Sequence, residues 1–91
     1  MKPVLMSDVT ALARALRAAP ESSRASLIST VFKQAQDAAT FVQTHGRTHP
    51  KFGNGTIMAA SATHPQVPEP WLTDRVYCRC LMQILAYLSE Y

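Results

Sequence analysis

Apolar residues in this 91-residue chain recur at spacings of three and four along three stretches, and nowhere do they alternate with polar ones. Spacing of that kind lines one face of an α-helix, whereas a half-buried strand needs a period of two. The chain is therefore expected to be all-α. Val9, Leu12, Ala13 and Leu16 form the first stripe. Ile28, Val31, Ala35, Ala38 and Val42 form the second, widened by Leu27, Phe32, Ala39 and Phe41. Tyr77, Cys80, Leu81, Ile84 and Leu88 form the third, flanked by Val76, Leu85 and Tyr87.

Caps and breakers set the expected boundaries. Ser7 is the expected N-cap of a first helix over residues 7–18, with Asp8 in its first turn. Pro20 disfavours helical backbone at Ala19 and ends that helix. It also opens a second helix, 21–44, with Glu21 at the positive end of its dipole and Gly46 just past its last turn. So short a link implies an antiparallel helical hairpin. Residues 45–55, HGRTHPKFGNG, read as a loop. Thr56 starts a short third helix, 56–63, and Pro65, Pro68 and Pro70 hold an extended connector, 64–72. Thr73 is the expected N-cap of the last helix, 73–89, with Leu72 and Tyr77 at hydrophobic-staple spacing. The expected architecture is one small helical bundle, residues 1–91, with the C-terminal helix packed across the hairpin.

Composition narrows the function. The charged fraction is 16%, against about 25% for an ordinary globular chain. Few charges leave apolar surface uncovered, which points to a homo-oligomer or a protein partner. A net charge of +3 permits acidic or nucleic-acid partners without demanding them. The longest stretch free of Lys, Arg, Asp and Glu, Phe52 to Pro68, is interrupted by glycine and proline, so no membrane association is expected. The apolar run within Met1 to Met6 is too short for a signal-peptide core. Cys78 and Cys80 fall about 200° apart on one helix, so they should not pair. A reducing cytoplasm fits these thiols.

The loop is the most distinctive stretch. Gly53, Asn54 and Gly55 precede Thr56 at a helix start, where exposed N–H groups favour an anion. Arg47 supplies a planar fork, and His49 and Lys51 add donors. These seven residues are the candidate site for a phosphate or a partner carboxylate. The loop is not a Walker motif, because no GK[ST] follows. Its other reading is a tight turn whose polar side chains tie down their own backbone.

Other chemistry is sparse. His45, His49, His64, Cys78 and Cys80 carry zinc-binding atoms at spacings that do not converge, so no metal and no cofactor is expected. Glu69 and Asp74 flank Trp71, but Asp74 is accounted for as a helix-start residue, and a Cys–His pair is no more than any chain with three histidines and two cysteines offers. No residue is nominated as catalytic. Arg14, Arg17 and Arg24 can form a basic patch, although neither long helix carries a polar recognition face. The leading expectation is a non-catalytic protein-binding adaptor or regulatory module. A nucleic-acid-binding regulator is the alternative, and an anion sensor or small enzyme using residues 46–56 is a third.

Gly46, Arg47, His49, Pro50, Gly53, Gly55, Thr56, Met58, Ala59 and Ala60, with the later PEPWLTDRVYCRCL, carry a resemblance. The second half of the chain resembles a small uncharacterised family of alphaproteobacterial proteins with a similar G-R-x-H-P-x-x-G-x-G-T segment followed by M-A-A. That resemblance implies no particular activity.

Cys80 shares the third stripe and Cys78 does not, so a thiol reagent should modify Cys78 faster in the native protein. Equal, fast labelling of both would refute the face assignment.

Overall fold

Each apolar stripe becomes the buried face of one helix in the computed structural model, which describes residues 1–91. The elements are α1 (Met6–Ala18), a single 3-10 turn (Glu21–Ser23) leading into α2 (Arg24–His45), α3 (Ile57–Ser61) and α4 (Arg75–Glu90). No strand is present, only an isolated bridge between His49 and Gly53. The fold is a small all-α bundle. No helix is long and apolar enough to cross a membrane.

The bundle is organised around α1. Its Val9, Leu12, Ala13 and Leu16 are buried, and α1 packs chiefly on α4 and α3. Ile28, Val31, Phe32 and Ala35 of α2 join the same cluster, with Ile57 and Ala60 of α3 and Tyr77, Cys80 and Ile84 of α4. Small residues let the short α3 pack closely against both α1 and α2. The C-terminal helix lies mainly along α1 and touches α2 less, so it does not lie evenly across the hairpin. Val42, at the far end of the second stripe, is only half-buried because the core ends before it.

Polar contacts then fix the ends. Gly46 takes φ 68° and its N–H donates to the Val42 carbonyl, closing α2 in the left-handed conformation that glycine adopts without strain. At the hairpin turn, Arg24 Nε donates to the Leu16 carbonyl at 2.8 Å, satisfying a carbonyl in the last turn of α1. The proline-rich connector lies along α1. Arg14 Nε donates to the Val67 carbonyl at 2.8 Å, and Gln66 Nε2 donates to the Ala11 carbonyl at 3.0 Å.

Three helix starts differ from the sequence expectation: α2 begins at Arg24 and not at residue 21, because Glu21–Ser23 form a 3-10 turn. α1 begins at Met6, and Ser7 lies inside it. The residue at its N-cap position, Leu5, has no capping side chain, and the first turn is closed from within by Asp8. The Leu5 N–H donates to Asp8 Oδ2 at 2.8 Å, while the other oxygen, Oδ1, accepts the Met58 N–H at 2.8 Å. One buried carboxylate therefore caps both α1 and α3. α4 begins at Arg75, capped by Asp74, whose Oδ1 accepts the Tyr77 N–H at 3.0 Å. The shift of one residue from Thr73 removes the expected staple. Tyr77 enters the core at 1% exposure, and Leu72 stays 71% exposed. That Tyr77 N–H, opposed by partial desolvation and helped by the Arg17 guanidinium 3.2 Å away, holds the Asp74 carboxyl below its usual 3.8.

The cysteines follow the face assignment. Cys80 is buried and its thiol is pushed up by desolvation, whereas Cys78 is half-buried and unpaired.

Asp8→Ala leaves two partly buried N–H groups without acceptors, so it should destabilise the fold by about 2–4 kcal/mol. Asp8→Asn keeps one acceptor and should lose roughly half as much. Thermal unfolding monitored by circular dichroism checks both. Equal melting of Asp8→Ala and the parent would remove the double cap from the account of this fold.

Candidate functional site

The loop after α2 is built from its own side chains. His49 folds back so that Nδ1 accepts the Lys51 and Phe52 N–H groups, each at 3.0 Å. That arrangement places the ring proton on Nε2. His49 and Gly53 exchange backbone hydrogen bonds at 2.8 and 3.1 Å, closing the turn through Pro50 and Lys51. Asn54 Oδ1 then accepts from both the backbone and the hydroxyl of Thr56, at 3.1 and 2.8 Å. Thr56 in turn caps α3 by accepting the Ala59 N–H at 3.1 Å.

The glycines here answer to packing as well as to backbone geometry. Gly53 and Gly55 both have positive φ, 83° and 95°. A Cβ on Gly55 would lie 2.9 Å from the Ala39 Cα, inside the α2 backbone. One on Gly53 would meet the Ala59 Cβ at 2.8 Å. The loop thus lies flat on α2 and α3, which only glycine permits.

This geometry redistributes the candidate residues. His49, Asn54 and Thr56 spend their acceptors on the loop's own backbone, and Gly53 and Gly55 provide close approach. At the start of α3 the Met58 N–H already meets the carboxylate of Asp8 and the Ala59 N–H meets Thr56. The anion expected there is supplied by the chain itself. Arg47 and Lys51 remain exposed and lie over rings, Arg47 Cζ at 5.9 Å from the Phe41 centroid and Lys51 Nζ at 5.4 Å from that of Phe52.

Arg14, Arg17 and Arg24 each direct Nε into the chain, to the Val67 carbonyl, the Asp74 carboxylate and the Leu16 carbonyl. All three are only partly exposed. No group of three or more His, Cys, Asp or Glu side chains is arranged to hold a metal ion. His64 lies apart from the other histidines, with Nε2 2.8 Å from Gln34 Oε1.

The structure brings forward residues that the sequence reading did not single out as functional. Trp71 and Leu72, 86% and 71% exposed, precede α4, on whose outer face lie Met82, 67% exposed, and Leu85, 47% exposed. Met82 and Leu85 are three residues apart and so neighbours on the helix surface. Cys78 lies one turn before Met82, and its thiol donates to the Leu72 carbonyl at 2.8 Å, which sets Leu72 at the head of the same row. The available signal was a lone Trp in a proline-rich connector followed by Met82 outside the apolar stripe.

Arg47→Ala should leave the melting temperature nearly unchanged, whereas His49→Ala should destabilise by about 1–2 kcal/mol, since two N–H groups lose their acceptor. Thermal melts of the two single variants separate these effects, and a large loss in Arg47→Ala would overturn the division of roles.

Residues 2–88 match the family described as Domain of unknown function (DUF7742), and the chain belongs to that family. The match spans both halves of the chain, beyond the second-half segment that carries the motif resemblance. No curated protein and no solved structure matches the chain.

Proposed function

We propose that this DUF7742 domain is a non-catalytic protein-binding module that docks through the row Trp71, Leu72, Met82 and Leu85. The observation that carries this reading is the exposure of four large apolar side chains on α4 and the segment that leads into it. A chain with 16% charged residues has few polar groups to cover such a row. Burying each of these side chains against a partner is worth roughly 1.5–3 kcal/mol, enough for a specific complex if most are covered. The partner is a protein or a second copy of the domain. A cytoplasmic setting in alphaproteobacteria belongs to the same reading, with two unpaired thiols and the loop motif as its support.

The nucleic-acid alternative draws less support. Its three arginines direct their Nε donors to partners within the chain.

Trp71 is the only tryptophan, so its emission reports the row directly. Self-association or addition of a protein captured from native lysate should shift that emission to the blue, with little dependence on salt. Met82→Gln with Leu85→Gln should keep helicity and melting temperature and abolish the shift and the capture. If the parent stays monomeric at high concentration and captures nothing that the double variant does not also capture, the reading is wrong.

A further inference from the structure

A second surface lies at the other distinctive place in the chain, the end of α2 and the loop that follows. No Asp or Glu occurs between Asp37 and Glu69, while Arg47, Lys51 and all three histidines do. The structure folds part of that acid-free segment into a continuous row of rings. His45 lies 4.2 Å from Phe41, Phe41 lies 5.0 Å from His49, and His49 stacks on Phe52 at 5.0 Å. Arg47 sits over Phe41 within the row and Lys51 over Phe52 at its end. Neither cation is in an ion pair, since the two pairs in the structure are Arg17 with Asp74 and Lys33 with Asp37. Asp37, the last carboxylate of α2, is thereby turned to a lysine on the preceding turn.

We propose that this row binds an acidic peptide segment, with Arg47 and Lys51 each taking a carboxylate. The site is a surface additional to the apolar row and does not depend on it. Its backbone is held in advance by His49, by Asn54 and by the close approach of Gly55 to Ala39, so little ordering is needed on binding. The long side chains of Arg47 and Lys51 rest on aromatic faces, which restricts them while leaving their charged groups exposed. A planar guanidinium matches a carboxylate in a two-point contact. Aromatic ring edges carry partial positive charge and add to the attraction. A single-stranded nucleic acid fits less well. Its bases need open ring faces, and here the rings contact one another and the two phenylalanines lie under the chain's own cations.

The test uses the full chain and a fluorescein-labelled peptide of alternating Glu and Gly, followed by fluorescence anisotropy at low salt. The parent should bind it, and binding should weaken as salt rises. Arg47→Ala with Lys51→Ala should weaken binding about tenfold. The charge-matched control is Arg75→Ala with Arg79→Ala, which removes two exposed arginines from α4 and should change binding less than about twofold. Met82→Gln with Leu85→Gln should bind as the parent does, so loss of the apolar docking reading leaves this one standing, and the reverse. Equal weakening by the two arginine- and lysine-removing pairs would reduce the effect to net charge and overturn the proposal. Tighter binding of a labelled oligothymidylate than of the peptide, or no binding of the peptide, would overturn it as well.

Discussion

The carboxylate of Asp8 is the contact on which the arrangement of this bundle depends. One oxygen closes the first turn of α1 and the other closes that of α3, fifty residues further on. A five-residue helix such as α3 cannot hold its shape alone, because nucleation is unfavourable and few hydrogen bonds repay it. Here its start is tied to α1 by Asp8 and to the preceding loop by Thr56, and its Ile57 and Ala60 are buried. The same carboxylate occupies the helix start that would otherwise attract an anion from solution.

Similar economy recurs along α1. Its carbonyls at Ala11, Arg14 and Leu16 accept from Gln66, Val67 and Arg24 respectively, so the helix serves as the rail on which connector and hairpin are hung. Three of the nine basic residues direct donors to groups within the chain in this way or through Asp74. The positive charge left on the surface is consequently more local than a net +3 suggests. Part of it, Arg47 and Lys51, lies where the sequence has no acids to answer it.

Two surfaces of different chemistry carry the proposed binding, while Leu5, Met6, Met58 and Tyr91 are exposed elsewhere. One is apolar, running from Trp71 along the outer side of α4. The other is cationic and aromatic, at the end of α2. In the proposed readings, water release would drive association at the first and charge attraction at the second, so salt would act on them differently.

Helix identity was legible in the sequence because it rests on local spacing. The stripes at Val9 to Leu16, Ile28 to Ala38 and Tyr77 to Ile84 are periodic within single helices, and the residues they name are buried except Leu81, which is half-buried. Gly46 as the end of α2 and Thr56 as the start of α3 are legible for the same reason, since each acts on backbone within a few residues. The starts of α1 and α4 differ from the expectation because local rules do not choose between neighbouring polar side chains, Ser7 and Asp8 in the first turn of α1 and Thr73 and Asp74 at the cap of α4. Which one wins depends on what else it can reach. Asp8 reaches Met58, and Asp74 reaches Arg17, contacts spanning 50 and 57 residues that no local pattern contains. The loop marks the same division. Its glycines and polar residues announce a turn, but that Gly55 must rest on Ala39 and that Asp8 fills the α3 terminus are decided by packing between elements. Sequence by itself determined which segments are helices and which faces they bury, because those follow from the 3.6-residue period. Only the tertiary structure decided which polar groups are spent inside the chain and which stay free for a partner, because that depends on distances between residues far apart in sequence.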